Sequence, residues 1–271
     1  MKHLCVATLL WSLPFTTLPH VARAMDTDVV QARILSGARM ADGRHIAGLE
    51  LSLAAGWKTY WRAPGESGIA PIFDLNGSDN LASYVIEWPQ PTLDVTYDMV
   101  SVVYQDSVVL PLILTPKDPA QDITVTLSAD IGVCDTVCIP KTIGAHATLD
   151  AQDHQMEPAL SAARQALIPD SRTVGQISAA CRLRPAGQDF GLELTYAGVV
   201  HDALTYATVE IADPALYSFE IIHHAGLNNQ ISGKIASLTG DPIALARGDI
   251  TVTVIERDRS FAFNGCWPDY P

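Results

Sequence analysis

The chain has 271 residues, with 17 Lys and Arg against 30 Asp and Glu, a formal net charge of −13 at pH 7 and 48% hydrophobic residues. That acidic balance argues against nucleic acid and anionic membranes as partners, since both select basic surfaces. The length suits one large domain or two ordinary ones with packed cores.

In chain order, Lys2 and His3 precede an apolar run from Leu4 to Leu18, and Ala22-Arg23-Ala24 supplies an A-x-A cleavage pattern. Residues 1–24 are therefore expected to be an export signal cleaved near Ala24. Pro14 and Pro19 interrupt the run, which is too short for a membrane span, and no later segment is apolar for long enough. The expected mature chain is soluble, exported and not inserted in a membrane. Loss of Lys2 and Arg23 takes its charge to −13 − 2, about −15. Cys134, Cys138, Cys181 and Cys266 remain, an even count that favours disulfides and leaves three connectivities open.

From residue 25 to residue 152 short β-like runs alternate with turn residues. The clearest are Val29 to Leu35, His45 to Leu53, Ala70 to Leu75, Tyr84 to Trp88, Ser107 to Leu114 and Ile123 to Ile131. Leu49, Leu51 and Leu53 alternate with Glu50 and Ser52, as in a half-buried strand. Such spacing without helices predicts an all-β sandwich. Glu157 to Ile168 reads as a helix, with Pro158 near its start, Pro169 at its stop and Leu160, Ala163 and Leu167 on one face. With the polar connector Asp170 to Thr173 it forms an expected helical linker over residues 153–173.

Residues 174–271 resume the β pattern: Ile177 to Leu183, Leu192 to Tyr196, Leu204 to Ile211, Tyr217 to His223, Gln230 to Leu238 and Ile250 to Ile255. Thr251, Thr253 and Ile255 alternate there with Val252, Val254 and Glu256. Cys181 lies in the first of these runs and Cys266 follows the last. A structural disulfide between them would tie down the C-terminus, so the economical pairing is Cys181 with Cys266.

The other two cysteines carry the chemistry. Cys134 and Cys138 sit four positions apart at the end of a β-like run. In a straight strand their Cα atoms would stand roughly 13 Å apart, too far for a disulfide. A turn between them, such as one helical turn, would bring them together. Gly132 and Pro140 favour the turn as punctuation on both sides. In an oxidising compartment such a turn is a candidate redox pair. Asp135 would raise a neighbouring thiol's pKa and Lys141 would lower it.

Gly56-Trp-Lys-Thr-Tyr-Trp-Arg-Ala-Pro-Gly-Glu-Ser-Gly68 resembles a motif of the amino-terminal periplasmic domain of the DsbD and ScsB thiol:disulfide interchange proteins. Trp88-Pro-Gln-Pro91, Tyr104 with Val109-Leu-Pro111, and Cys134-x-x-x-Cys138-Ile-Pro140 follow in the family's order. The cysteine spacing and the downstream unit resemble ScsB-like members. The resemblance implies two immunoglobulin-like β-sandwich domains joined by a short helix. It implies a protein-disulfide reductase or exchange component of the periplasm, with no cofactor. Electrons would come from a membrane-embedded donor and a thioredoxin-like protein, both on separate chains, and pass to oxidised exported proteins. Cytochrome c maturation and copper tolerance are settings that the family implies. Cys138 would join the partner and Cys134 would resolve the mixed disulfide. Met99 to Tyr104 would supply a cap or support over the cysteines, with Met99 and Tyr104 as its named residues.

Rival readings are a non-catalytic binding or assembly module with two structural disulfides, and a copper-handling site. Copper-delivering proteins of the Sco type carry a similar cysteine spacing completed by a distant His, and soft thiolates favour Cu(I). There the motif leads into a helix, whereas Thr142 to Leu149 is β-like here, with His146 as the candidate third ligand. His223 and His224 are adjacent strand residues on opposite faces and read as ordinary histidines. Trp57, Tyr60 and Trp61 read as core residues before they read as a recognition surface, and Gly65 and Gly68 around Glu66 as a turn.

Overall fold

The computed structural model describes residues 29–174, 177–197, 205–212, 217–225, 230–241, 244–257 and 259–268, and of 217–225 the backbone alone. The expected export signal lies outside these residues. No helix among them is long and apolar enough to cross a membrane.

The first unit is built from β1 (Val30–Leu35), β2 (His45–Leu53), β3 (Lys58–Gly65), β4 (Ile72–Asp74), β5 (Leu81–Ile86), β6 (Thr92–Thr96), β7 (Met99–Gln105), β8 (Ser107–Pro116), β9 (Ile123–Cys134) and β10 (Cys138–Leu149). One sheet has the order β1-β2-β8-β5, and the other the order β10-β9-β3-β7-β6 with β4 also paired to β9. Their inner faces meet in one core, where Leu49, Leu110 and Leu112 face Trp61, Val102, Val125 and Leu127. The period-2 pattern of β2 does what alternation dictates: Leu49 and Leu51 are buried, and Ser52 is exposed. Each such fully buried aliphatic side chain contributes about 1.5–3 kcal/mol.

The expected helix is shorter than its pattern. It runs over α1 (Pro158–Gln165), and a second turn, α2 (Ser171–Val174), occupies the connector. Leu160 is fully buried and closes a small cluster with Leu35, Ile46 and Ile113 on the outer face of the first sheet. Leu167 lies beyond the helix, in an isolated bridge to Pro89. The linker is held to the first unit by this leucine together with bonds such as Arg164 to Glu87 and the Gln90 N–H to the Ala166 carbonyl.

The second unit contains β11 (Ser178–Ala186), β12 (Asp189–Ala197), β13 (Tyr206–Ile211), β14 (Tyr217–Ala225), β15 (Gln230–Ser237), β16 (Ile250–Ile255) and β17 (Ser260–Asn264). Its sheets have the orders β11-β12-β15-β14 and β13-β16-β17 and enclose a second core of Leu192, Leu194, Ile231, Val252, Phe261 and Phe263. The alternation in β16 does not separate a wet face from a dry one, because Thr253 and Glu256 are buried along with their apolar neighbours. The units pack directly: Tyr206 and Ile255 join the first core, and Arg62 makes a two-pronged bond to Glu210 at 2.7 and 3.0 Å. The half-exposed ion pair orients the units more than it stabilises them.

Candidate functional site

The two cysteines close a β-hairpin, so the chain turns between them as expected, by a hairpin loop and not by a helical turn. β9 and β10 are joined by Asp135, Thr136 and Val137, and the register sets Cys134 opposite Cys138, Val133 opposite Ile139 and Gly132 opposite Pro140. Gly132 and Pro140 therefore lie inside the ladder and do not punctuate it. Pro140 has no N–H to give, which suits a pair without direct hydrogen bonds. Two residues along, the cysteines then fall in the same kind of pair, the one with the closer Cα approach. That separation is 4.1 Å, and the sulfurs are joined as a disulfide.

The two sulfurs differ in access. Cys134 is 1% exposed, whereas Cys138 is an exposed residue at the rim, beside Val137. One side chain touches both. The Tyr60 hydroxyl lies 3.0 Å from Cys134 Sγ and 3.3 Å from Cys138 Sγ. A disulfide carries no hydrogen, so the phenol is the donor. Burial, and then the carboxylate of Asp94, push the Tyr60 pKa up, so the phenol keeps its proton at neutral pH. Asp94 itself is paired with Lys58 Nζ at 2.5 Å.

The local sequence explains how Tyr60 reaches the sulfurs. On β3 the side chains alternate, so Trp61 points into the core while Tyr60 points outward to join Val103 and Cys134 in a separate small cluster. Two glycines leave space for its ring. A Cβ on Gly132 would stand 3.0 Å from the ring and 2.9 Å from Ile69 Cβ, and one on Gly68 would stand 2.7 Å from the ring. Gly65 turns the chain at φ +86° at the end of β3. Gly65 thus marks a turn as expected, whereas Gly68 also shapes the seat of the tyrosine.

Met99 and Tyr104, the residues named for the expected cap, do not lie over the cysteines, although Val103 of the same segment packs with Tyr60 and Cys134. Tyr104 pairs with Thr59, so it faces the core, where it is buried and donates from its hydroxyl to the Pro89 carbonyl at 2.7 Å. It misses the sulfurs because it is one register step from Val103, and one step reverses the face. Met99 lies at the mouth of the β6–β7 hairpin, exposed, beside Tyr97 and Asp98 in the left-handed region at φ +53° and +63°. Trp57 is half-buried against the core. The residue that sequence reasoning left among core aromatics, Tyr60, is the one at the site.

His146 stands opposite Thr126 and contacts its Oγ1 at 3.1 Å, eight residues and roughly 26 Å along β10 from Cys138. It is out of reach of the sulfurs, and no three His, Cys, Asp or Glu side chains gather as a metal site among the described residues. His223 and His224 lie on β14, opposite Ser232 and Ile231, and their side chains fall outside the described set. Cys181 and Cys266 form the second disulfide, both fully buried in the second core, with the Cys181 N–H bonded to the Trp267 carbonyl at 2.7 Å.

Residues 28–147 match the family model described as thiol:disulfide interchange protein DsbD, N-terminal. The match lies within the amino-terminal unit and spans nearly all of it. The crystal structure of the N-terminal periplasmic domain of ScsB from Proteus mirabilis is similar to the whole two-unit chain. The similarity covers 89% of this chain and 92% of that one, with a TM-score of 0.52 and 20% sequence identity. It extends the shared fold beyond the DsbD-type domain into the second sandwich. No curated protein matches the chain.

Proposed function

We propose that this chain is a periplasmic thiol:disulfide exchange protein. In this reading a unit over residues 25–152 carries the redox pair, and a second sandwich over residues 174–271 accompanies it. Cys138 is the sulfur that partners attack and Cys134 is the resolving thiol. The observation that carries the proposal is the asymmetry of the hairpin, one sulfur exposed and one buried under the same phenol.

The electron bookkeeping follows from that asymmetry. A partner thiolate attacks Cys138 Sγ, the Cys134–Cys138 bond breaks, and Cys134 leaves with the electron pair as a thiolate. The partner's second thiolate then releases Cys138, which completes a two-electron reduction, and each cysteine thiolate takes up a proton. In the forward direction Cys138 attacks an oxidised exported protein, and Cys134 displaces the product from Cys138. Tyr60 donates to the buried thiolate in both directions, in a place where an unpaired charge would be costly. A membrane-embedded donor and a thioredoxin-like partner are the proposed sources of electrons.

The test is a trapping experiment. Cys134→Ala should accumulate a mixed disulfide with a thioredoxin-like protein, seen by mass spectrometry without reduction, and Cys138→Ala should not. A redox titration on the Cys181→Ala/Cys266→Ala variant should place the remaining bond above about −300 mV, the region of labile disulfides. Trapping by Cys138→Ala alone, or a potential well below that value, would sink the assignment.

A further inference from the structure

Beside Cys138 the outer face of the hairpin is apolar in a way that the fold does not need. Ile69 is 41% exposed, Ile72 is 68% exposed and Val137 is 67% exposed. A groove of about 190 Å³ lies between Ile69, Ala70 and Ile72 on one side and Pro140, Lys141 and Thr142 on the other, with Asp130 and Ile131 between them. It is held open by sequence. Ile72 pairs with Asp130 on one flank of β9, and Thr142 pairs with Asp130 on the other. Thr142 Oγ1 donates to Asp130 Oδ1 at 2.6 Å, which occupies that oxygen and leaves the wall nearer the sulfur apolar.

Position identifies the occupant. The groove begins at Pro140, two residues and roughly 6.6 Å from Cys138 along an extended strand. A partner chain in extended form, with its own sulfur at Cys138, places its residue two positions away over the groove, on the same side as that sulfur. β10 ends its sheet, and Pro140 removes a donor from that edge, so the partner is held by side chains more than by strand addition. We infer that the Ile69–Ile72–Pro140 groove seats an extended segment of a partner polypeptide that carries an aliphatic side chain two residues from its reactive cysteine. The inference rests on the exchange reading and names the class of thiol that reading takes.

The step it would accelerate is balanced: the peptide thiolate bonds to Cys138 Sγ, the Cys134–Cys138 bond breaks, and Cys134 departs as a thiolate. The experiment uses short peptides that differ only two residues from a single cysteine, Leu against Ser, on either side of it. Each is mixed as a thiol with the oxidised protein, the mixed disulfide is acid-trapped and weighed, and rates are corrected for thiolate fraction. Dithiothreitol serves as a reductant with no side chain to seat. A leucine should speed the reaction about tenfold on at least one side of the cysteine. Ile72→Ser should bring the two peptides to within about twofold of each other and leave the dithiothreitol rate unchanged. Equal rates for Leu and Ser peptides, or a preference that survives Ile72→Ser, overturns the groove. Failure of dithiothreitol to open the bond overturns the exchange reading instead.

Discussion

The two disulfides of this protein make opposite use of the same bond. Cys134–Cys138 spans a three-residue hairpin loop at the rim of a sheet, with one sulfur exposed. Cys181–Cys266 spans 85 positions inside a core, with both residues fully buried. Cross-link entropy grows with the logarithm of the closed loop, so the long bridge constrains the unfolded chain by about 4–5 kcal/mol and the short one by about 2 kcal/mol. Access runs the other way, since exchange requires an in-line approach to a sulfur. On the exchange reading, one bond holds the chain together and the other is the one to be opened.

The sharpest way to break that contrast is selective reduction. A mild dithiol should open Cys134–Cys138 in the folded protein and leave Cys181–Cys266 intact until the second unit unfolds, as peptide mapping after alkylation would record. Loss of both bonds at one rate would erase the distinction. Next in size is stability. Cys181→Ala/Cys266→Ala should lower the urea unfolding free energy by about 4–5 kcal/mol, more than twice the loss in the Cys134→Ala/Cys138→Ala protein.

Gly132→Ala sharpens the comparison from the side of the hairpin. The new methyl would press on Ile69 and the Tyr60 ring, an overpacking that typically costs about 1–3 kcal/mol, and should disturb exchange while Cys181–Cys266 is untouched. Tyr60→Phe is milder. It removes a hydrogen bond that strengthens when Cys134 becomes a thiolate, so the reduced form loses more than the disulfide does. A difference of about 1 kcal/mol lowers the midpoint potential by about 20 mV, measurable in a glutathione titration. A rise in potential would reverse the role given to the phenol.

The smallest expected effect tests the scaffold behind the hairpin. Burial, and then the nearby Arg39 charge, hold the pKa of His45 below its ordinary value of 6.5. The unfolded chain therefore binds this proton more readily than the folded one. The contribution is fully present above about pH 6.5 and fades as the pH falls below it. His45→Leu should flatten that slope in urea titrations between about pH 7 and pH 5.

Much of the fold was legible where one face of a strand is wet. β2 has the bounds its alternation predicts, whereas β16, which has no wet face, was legible from its β-branched run alone. β3 escaped because Thr59, Tyr60 and Trp61 are all buried, so no polarity alternates although the side chains do. The strand's two faces serve different clusters, and hydropathy alone does not separate them. At the site, the cysteine spacing pointed to a turn, but Gly132 and Pro140 read as breakers because their tolerance depends on a partner strand. Tyr60 was invisible for a related reason: it meets sulfurs 74 and 78 positions away. Gly68 and Gly132, far apart in sequence and both placed against one ring, are the signal that would have found it.

The hairpin also bears on damage. An exposed thiolate in an oxidising compartment meets peroxide, and its sulfenic acid either condenses with a thiol or climbs to sulfinic acid, from which there is in general no return. At Cys138 the neighbouring thiol is already in place, one cross-strand pair away and held at a Cα separation of 4.1 Å. Condensation there is intramolecular and needs no search, so it outruns a second encounter with peroxide at any dilute concentration. Its product is the Cys134–Cys138 disulfide, so on the exchange reading a stray oxidation of Cys138 is one more entry into the resting state.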